Sequence, residues 1–210
     1  MPARLLLAAS LLCAAAPALA QERFPEIPAD KQTAAERAAI EKVMSSPRKS
    51  MQGPFNAWIR NPELAMPLSG VGEYLRYQGK LAPRLREFII LATARYWDAQ
   101  LEWHIHYPLA VQAGVDAAVL ADLQAGRKPQ GLKPDEQAAY DTLAEIRRDH
   151  RLSDASFAKA KSVLGEAALV EAVALAGYYD LVSMTLLMAN VQPPGGAQPL
   201  PTLKDGGKAH

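Results

Sequence analysis

A glutamate and a histidine lie four residues apart in a stretch whose apolar spacing predicts helix. Glu102 and His106 therefore share one helical face and can touch. Histidine transfers protons near neutral pH, and a carboxylate one turn away can fix its tautomer or raise its pKa. Glu87 lies one predicted helix earlier, so it reaches the same place only if the two helices fold against each other. These three residues are the candidate acid–base group.

Two predicted helices and the joint between them must position this group. The first helix covers Arg86–Arg95, and Tyr96-Trp97-Asp98 forms the joint. Asp98 is expected to cap the second helix, because its side-chain oxygen can accept a free backbone N–H. The second helix runs from about Ala99 to Ala113. Gly114 ends it, since glycine takes the left-handed conformation at little cost.

The neighbouring histidines do not predict a metal site. His104 and His106 are two residues apart, which separates them by about 200° around a regular helix. From that geometry they cannot bind one metal ion together. We therefore expect neither a metal nor another cofactor.

Residues 1–20 have the pattern of a secretory signal peptide. Arg4 gives a positive start, an apolar run covers Leu5–Ala16, and Ala18-Leu19-Ala20 is a small-residue cleavage site. The only cysteine, Cys13, lies inside this segment, so the mature chain would have no disulfide and no thiolate nucleophile. The predicted location is periplasmic or secreted, with no membrane association after cleavage.

The rest of the chain has the composition of one all-α domain. Hydrophobic residues make up 50% of the sequence, the formal net charge is +1, and β-type alternation is scarce. The near-neutral charge balance implies no nucleic-acid partner. Residues 21–53 are predicted to be a lead-in and one helix, residues 54–191 the helical domain, and residues 192–210 a disordered tail rich in proline and glycine.

A long apolar stretch, Glu166–Ala189, lies late in the helical domain. It contains Glu171 and Asp180, which argues against a membrane span. It is expected to be either the buried central helix of a bundle or a helix at a subunit interface.

Short motifs follow one another between roughly Pro54 and Pro194. They are Glu87-xxx-Leu91, Leu101-Glu102-xxx-His106, Ala110-xxx-Gly114, Leu132-Lys133-Pro134-Asp135-Glu136, Leu152-Ser153-Asp154-Ala155 and Gly177-Tyr178-Tyr179. In this order they resemble the carboxymuconolactone decarboxylase family, within the alkyl hydroperoxidase D-like superfamily. The resemblance implies an all-α helical bundle built round a central helical hairpin, and a homo-oligomer, trimer or hexamer, of packed hairpins.

The chain departs from the redox branch of that superfamily. There, a glutamate and a histidine at the places of Glu87 and His106 serve a CxxC pair, but those two cysteine positions are Ala99 and Glu102 here. Thiol peroxidase activity is therefore not expected. The lyase branch instead resembles this chain at Glu102-xxx-His106, a pair that would move a proton.

The leading hypothesis is an exported, cofactor-free lyase or decarboxylase acting on a small carboxylated, ring-derived compound. Glu102 and His106 would be the acid–base pair, supported by Glu87. Arg95 or Arg84 could hold a substrate carboxylate. The alternative for Arg95 is an ion pair with Glu87 or Asp98.

Trp103 and Tyr178 are the candidate apolar walls of the substrate site, and the alternative for Trp103 is a core residue. The alternative function is a non-catalytic, small-molecule-binding oligomer on the same fold. A third hypothesis, peroxidase-like activity without the CxxC pair, has no redox group in the sequence to support it.

Overall fold

The computed structural model describes residues 22–195, 197 and 200–203, and within them every regular element is helical. This confirms the all-α prediction; the predicted signal peptide lies outside the described residues. A 3-10 turn, Ala29–Lys31, precedes the first helix, and a π-helical turn, Tyr74–Gln78, follows the third. The α-helices are α1 (Ala34–Ser45), α2 (Phe55–Trp58), α3 (Pro62–Glu73), α4 (Pro83–Tyr96), α5 (Gln100–Gln112), α6 (Ala117–Gln124), α7 (Pro134–Asp149) and α8 (Asp154–Ala189).

Helix α4 lies at the centre of the bundle. It packs against α5, α6, α7 and α8, and its residues Phe88, Ile89, Ile90 and Leu91 are all fully buried. Four consecutive residues exceed one helical turn, so α4 is enclosed on every side. With α5 it forms the predicted helical hairpin. The central buried helix is therefore α4, so the first of the two alternatives for Glu166–Ala189 is wrong, and its place at a subunit interface stays a prediction.

Helix α8 is broken and has two unlike faces. Gly165 has φ 75° and ψ 166°, and this non-helical backbone interrupts the helix. Beyond it, one face packs on the core while Val170 and Met184 are 69% and 53% exposed. Among the described helices, α8 alone is long and apolar enough to cross a membrane by length and composition, yet half of its apolar window lies buried inside the protein.

Several helices begin with a side-chain cap. The side chains of Thr33, Asp116 and Ser153 accept a backbone N–H from the first turn of α1, α6 and α8 respectively. The cap predicted at Asp98 is wrong: this residue has φ 52°, and Ala99 is the N-cap of α5, with no side-chain cap bond. The Asp98 carboxylate instead lies 3.2 Å from Arg95 Nη1, so an ion pair back to α4 replaces the local cap.

Part of the predicted disordered tail packs against the bundle. Leu200 is 2% exposed, and the Gln100 side chain donates to its carbonyl and accepts from its N–H at 2.8 and 2.6 Å. Leu203 lies beside Gly126. For these two residues the structure differs from the expectation of disorder, because each leucine finds an apolar contact despite the prolines and glycines around it.

Candidate functional site

The α4–α5 hairpin brings the three candidate acid–base residues together. His106 Nδ1 lies 2.7 Å from Glu87 Oε2, and His106 Nε2 lies 3.4 Å from Glu102 Oε2. The three side chains are buried, with His106 only 2% exposed. The contact between His106 and Glu102 follows from their i,i+4 spacing. The contact with Glu87 depends on the folding of the hairpin, which the sequence left undecided.

A tyrosine from α8 completes the surroundings of the imidazole. The Tyr179 hydroxyl lies 3.2 Å from His106 Nε2, and the two rings meet edge to face at 5.2 Å. Sequence reasoning missed Tyr179 as a functional residue, although it stands in the Gly177-Tyr178-Tyr179 motif. Its place in that motif was the available signal, because the contact itself joins residues far apart in the chain.

The two nitrogens of His106 therefore have different partners. With a proton on Nδ1, the ring donates to Glu87, and Nε2 is left to accept a hydrogen bond or a proton. Burial raises the pKa of the Glu102 carboxyl, and the charges of His106 and Arg48 oppose that shift. Burial also raises the pKa of Tyr179 well above its ordinary value. The phenol thus stays protonated, while Glu102 can store a proton close to Nε2.

Two arginines that the sequence did not single out lie on the Glu102 side of the site. Burial lowers the pKa of Arg48, and its guanidinium lies over the Phe55 ring at 4.4 Å. The charge of Arg48, with that of Arg76, favours the ionised form of Glu102. Neither arginine belongs to a local motif with the acid–base pair, so no sequence signal could have identified them.

A loop encloses Arg48 and approaches Glu102. Arg48 Nε donates to the Ser50 carbonyl at 2.9 Å. Gly53 has φ 85°, and a Cβ there would lie 3.1 Å from Arg48 Nη2 and 3.9 Å from Glu102 Oε1. The loop therefore needs glycine for its left-handed backbone and for the close approach of Arg48.

Of the two predicted apolar walls, Tyr178 lies near the site and Trp103 belongs to the core. Burial raises the pKa of Tyr178 to about 12, and with Arg48 and Arg76 it lines a cavity of about 10 Å³. Trp103 is 5% exposed and packs against Tyr107, with ring centroids 5.8 Å apart. The core alternative for Trp103 is the one that fits these contacts.

The two arginines expected to hold a substrate carboxylate have other surroundings. Arg84 pairs with Asp135 at 2.7 Å and also contacts Glu136. Arg95 lies beside Asp98 and lines a cavity between α4, α6 and α7. These placements argue against a role for either arginine beside His106, and they favour the ion pair of Arg95 with Asp98.

Among the described residues, no group of three or more histidine, aspartate or glutamate side chains is arranged to hold a metal ion. The polar groups round His106 instead pair with the imidazole: Glu87 lies at Nδ1 and the Tyr179 hydroxyl at Nε2. In this conformation the imidazole is closed off from solvent, since it is 2% exposed.

The family model described as the carboxymuconolactone decarboxylase family matches residues 62–145. This segment belongs to the carboxymuconolactone decarboxylase family. It begins with α3 and extends into α7, so it contains the hairpin with Glu87, Glu102 and His106. No curated protein matches the chain.

Over this segment the chain is similar to carboxymuconolactone decarboxylase-like and alkyl hydroperoxidase D-like proteins. Tyr179 and Arg48, which surround His106 and Glu102, lie outside the matched segment. The matched segment thus contains the three candidate acid–base residues, and flanking parts of the chain enclose them.

Proposed function

We propose that this protein is a cofactor-free lyase that decarboxylates a small carboxylated, ring-derived compound. The observation that carries the proposal is the buried imidazole with a carboxylate near each ring nitrogen, at 2.7 and 3.4 Å. Such an arrangement holds one histidine in a fixed orientation and offers it a nearby proton store. A decarboxylase of this kind needs a positioned proton donor above all.

The proposed reaction breaks the bond between a substrate carbon and its carboxylate. The electron pair stays on that carbon as an enolate or dienolate, and CO₂ leaves. The imidazolium of His106 then delivers a proton from Nε2 to the carbon, and the proton is replaced from Glu102 and finally from water. Glu87 holds Nδ1–H throughout, and the Tyr179 hydroxyl can donate a hydrogen bond to the enolate oxygen.

The activity test compares two histidines on the same helix. His106→Gln is expected to abolish CO₂ release from a panel of small β-keto acids and carboxylated lactones, while His104→Gln keeps it. His104 is the matched control because it is exposed on α5. Thermal unfolding of both variants would confirm that they are folded. Equal CO₂ release by the His106→Gln variant and the unchanged protein would overturn the proposal.

A binding protein without catalysis is the second candidate function. The observation behind it bears against turnover in this conformation: His106 is 2% exposed, and the cavity beside Tyr178 has only about 10 Å³, so no substrate contacts the imidazole. Under this alternative, one compound of the panel binds in calorimetry, and the unchanged protein releases no CO₂ from any of them. Under the lyase proposal the same compounds are turned over.

We also propose that the protein is exported and forms a homo-oligomer through α8. The uncovered face of α8 carries large apolar side chains, among them Val170, Met184 and Met188, each at least half exposed. Apolar patches of this kind mark interaction sites more often than free surface. Val170→Asp is expected to shift the mass measured by light scattering from an oligomer towards the monomer. An unchanged mass would remove α8 from the interface.

A further inference from the structure

A second group of charged residues surrounds a cavity near the carboxyl end of α4. The cavity has a volume of about 40 Å³ and lies between α4, α6, α7 and the tail. Its charged lining consists of Arg95, Arg127 and Arg147. Its apolar lining includes Phe88 and Tyr140. None of the three residues of the His106 group lines this cavity, so the two sites are separate.

Arg95 is the unusual member of this cavity. It is 4% exposed, and none of its three guanidinium nitrogens has a hydrogen-bond partner. Asp98 Oδ1 lies 3.2 Å from Nη1, but that oxygen also lacks a hydrogen bond, so the contact is an ion pair without hydrogen-bond geometry. Arginine does not deprotonate in proteins, and a buried guanidinium with unmet donors is costly.

The other two arginines already have hydrogen-bonded partners. Arg127 donates to Asp122 at 2.7 Å. Arg147 donates to Asp180 at 2.9 Å and lies over the Tyr96 ring at 4.4 Å. Their carboxylates reduce the positive charge of the wall, but they leave the donors of Arg95 unmet. An anion entering the cavity would therefore be bound chiefly by Arg95.

We propose that this cavity binds one small oxyanion, such as the carboxylate of a short organic acid, through the guanidinium of Arg95. A guanidinium presents parallel N–H groups that fit two oxygens of one oxyanion. A volume of about 40 Å³ holds roughly three water-sized positions, which suits a group of three or four heavy atoms. This site is independent of the proposed lyase chemistry. Its ligand would be a carboxylate or a similar oxyanion, and a carboxylate is the group that Arg95 was expected to bind in the substrate site.

The tail covers one side of the proposed site. Leu203 lines the cavity and lies so close to Gly126 that a Cβ on that glycine would overlap its side chain. Gly126 also has φ 68°, so the turn after α6 needs glycine for its backbone as well. Leu203 thus limits the size of the bound group, which favours formate or acetate over a longer acid.

The test is a titration followed by two-dimensional ¹H–¹⁵N NMR. Sodium formate and sodium acetate form one arm, sodium nitrate the second, and sodium chloride at equal ionic strength is the reference. We expect saturable shifts of amides round Arg95 that exceed those in chloride, and a melting temperature that rises with ligand concentration. Saturation by the carboxylates alone would identify an organic acid as the ligand, and saturation by nitrate as well would identify oxyanions generally.

Two variants of Arg95 and one control sharpen the titration. Arg95→Met should abolish the saturable shifts. Arg95→Lys keeps the positive charge but lacks the two parallel N–H donors, so it should weaken binding by roughly tenfold or more. Arg151→Met removes an exposed arginine and should leave binding unchanged. Shifts that match those in chloride, or that persist in Arg95→Met, would overturn the proposal. Either result can be read without any enzyme assay.

Discussion

The two ends of α4 carry buried charged groups of opposite kinds. Glu87, near its start, is 7% exposed and lies 2.7 Å from His106. Arg95, two turns later, is 4% exposed, and its guanidinium nitrogens have no hydrogen-bond partner. The same helix therefore holds a buried carboxylate that pairs with a histidine and a buried guanidinium whose N–H donors have no hydrogen-bond partner.

This difference teaches that burial alone does not say what a charged residue does. At the Glu87 end, α5 supplies the imidazole that pairs with the carboxylate, and α8 supplies a hydroxyl at the other ring nitrogen, which builds a fixed hydrogen-bonded group. At the Arg95 end, the surrounding side chains leave a cavity of about 40 Å³. Groups that already pair with one another are arranged to transfer a proton to a bound molecule. Hydrogen-bond donors without partners are arranged to bind an anion directly.

The largest expected effect is at the Glu87 end of α4, where a substitution of His106 removes the partner of a buried carboxylate. His106→Ala should lower the free energy of unfolding by about 3–5 kcal/mol, because it leaves the buried Glu87 carboxylate without its partner. Urea unfolding measures this, and His104→Ala, at an exposed position of the same helix, should have little effect. Equal losses in the two variants would show that the Glu87–His106 contact contributes little to stability.

At the Arg95 end of α4, removing the charged side chain is not expected to destabilise the protein. Arg95→Met should leave the free energy of unfolding unchanged or raise it by up to about 4 kcal/mol in buffer without oxyanions, because a buried charge with unmet donors is replaced by an apolar chain. Asp98, whose side chain is 31% exposed, stays in contact with water. A marked loss of stability by thermal unfolding would make Arg95 a structural partner of Asp98 and would remove the contrast.

A pH series separates the stored proton of Glu102 from an ordinary carboxylate. Burial raises the Glu102 pKa above 4.5 in the folded state, so its contribution to stability is present below that pH and is lost as pH rises through the folded value. Relative to the unchanged protein, Glu102→Gln should therefore become more stable as pH increases. Urea unfolding at successive pH values measures the trend.

Glu145→Gln is the control of opposite slope. Hydrogen bonds from Ser156 and Ser153 lower the pKa of Glu145, so its contribution is present above the ordinary pKa and is lost as pH falls through the lowered one. That variant should be less stable than the unchanged protein near neutrality, with a deficit that shrinks on acidification. Parallel slopes in the two variants would contradict the raised pKa of Glu102.

The smallest expected effect comes from the hydroxyl that contacts His106 Nε2. Tyr179→Phe should cost about 0.5–1.5 kcal/mol, the usual net value of one hydrogen bond, and should shift the Nε2 resonance in ¹⁵N NMR. Tyr107→Phe, at a tyrosine 37% exposed on α5, serves as the control. An unchanged Nε2 resonance in the Tyr179 variant would mean that the hydroxyl does not bind the ring.

Local signals predicted the helices well, because each depends on residues within a few positions of one another. Gly114 ends α5 with a positive φ as expected, and the side chains of Thr33 and Ser153 cap their helices as their residue types favour. Asp98 failed as a cap because Arg95 competes for its carboxylate, and that competition depends on the shape of the joint rather than on propensity.

The candidate site was predictable only in part. Glu102 and His106 had to meet because of their helical spacing, whereas Tyr179 reaches His106 from 73 residues away. Arg48 likewise comes from a loop outside the hairpin, and no spacing rule connects it with Glu102. The same limit applies to Arg95, because its place between α4, α6 and α7 is set by the packing of distant helices and not by its neighbours in the sequence.

By itself, the sequence determined an all-α chain with a two-helix centre and a glutamate–histidine pair on one helical face, since helix caps, glycine ends and i,i+4 contacts are local. The tertiary structure decided which charges meet. It turned Glu87 and Tyr179 onto one imidazole and left the donors of Arg95 unmet, because the packing of distant helices, rather than residue type, sets the surroundings of a buried charge.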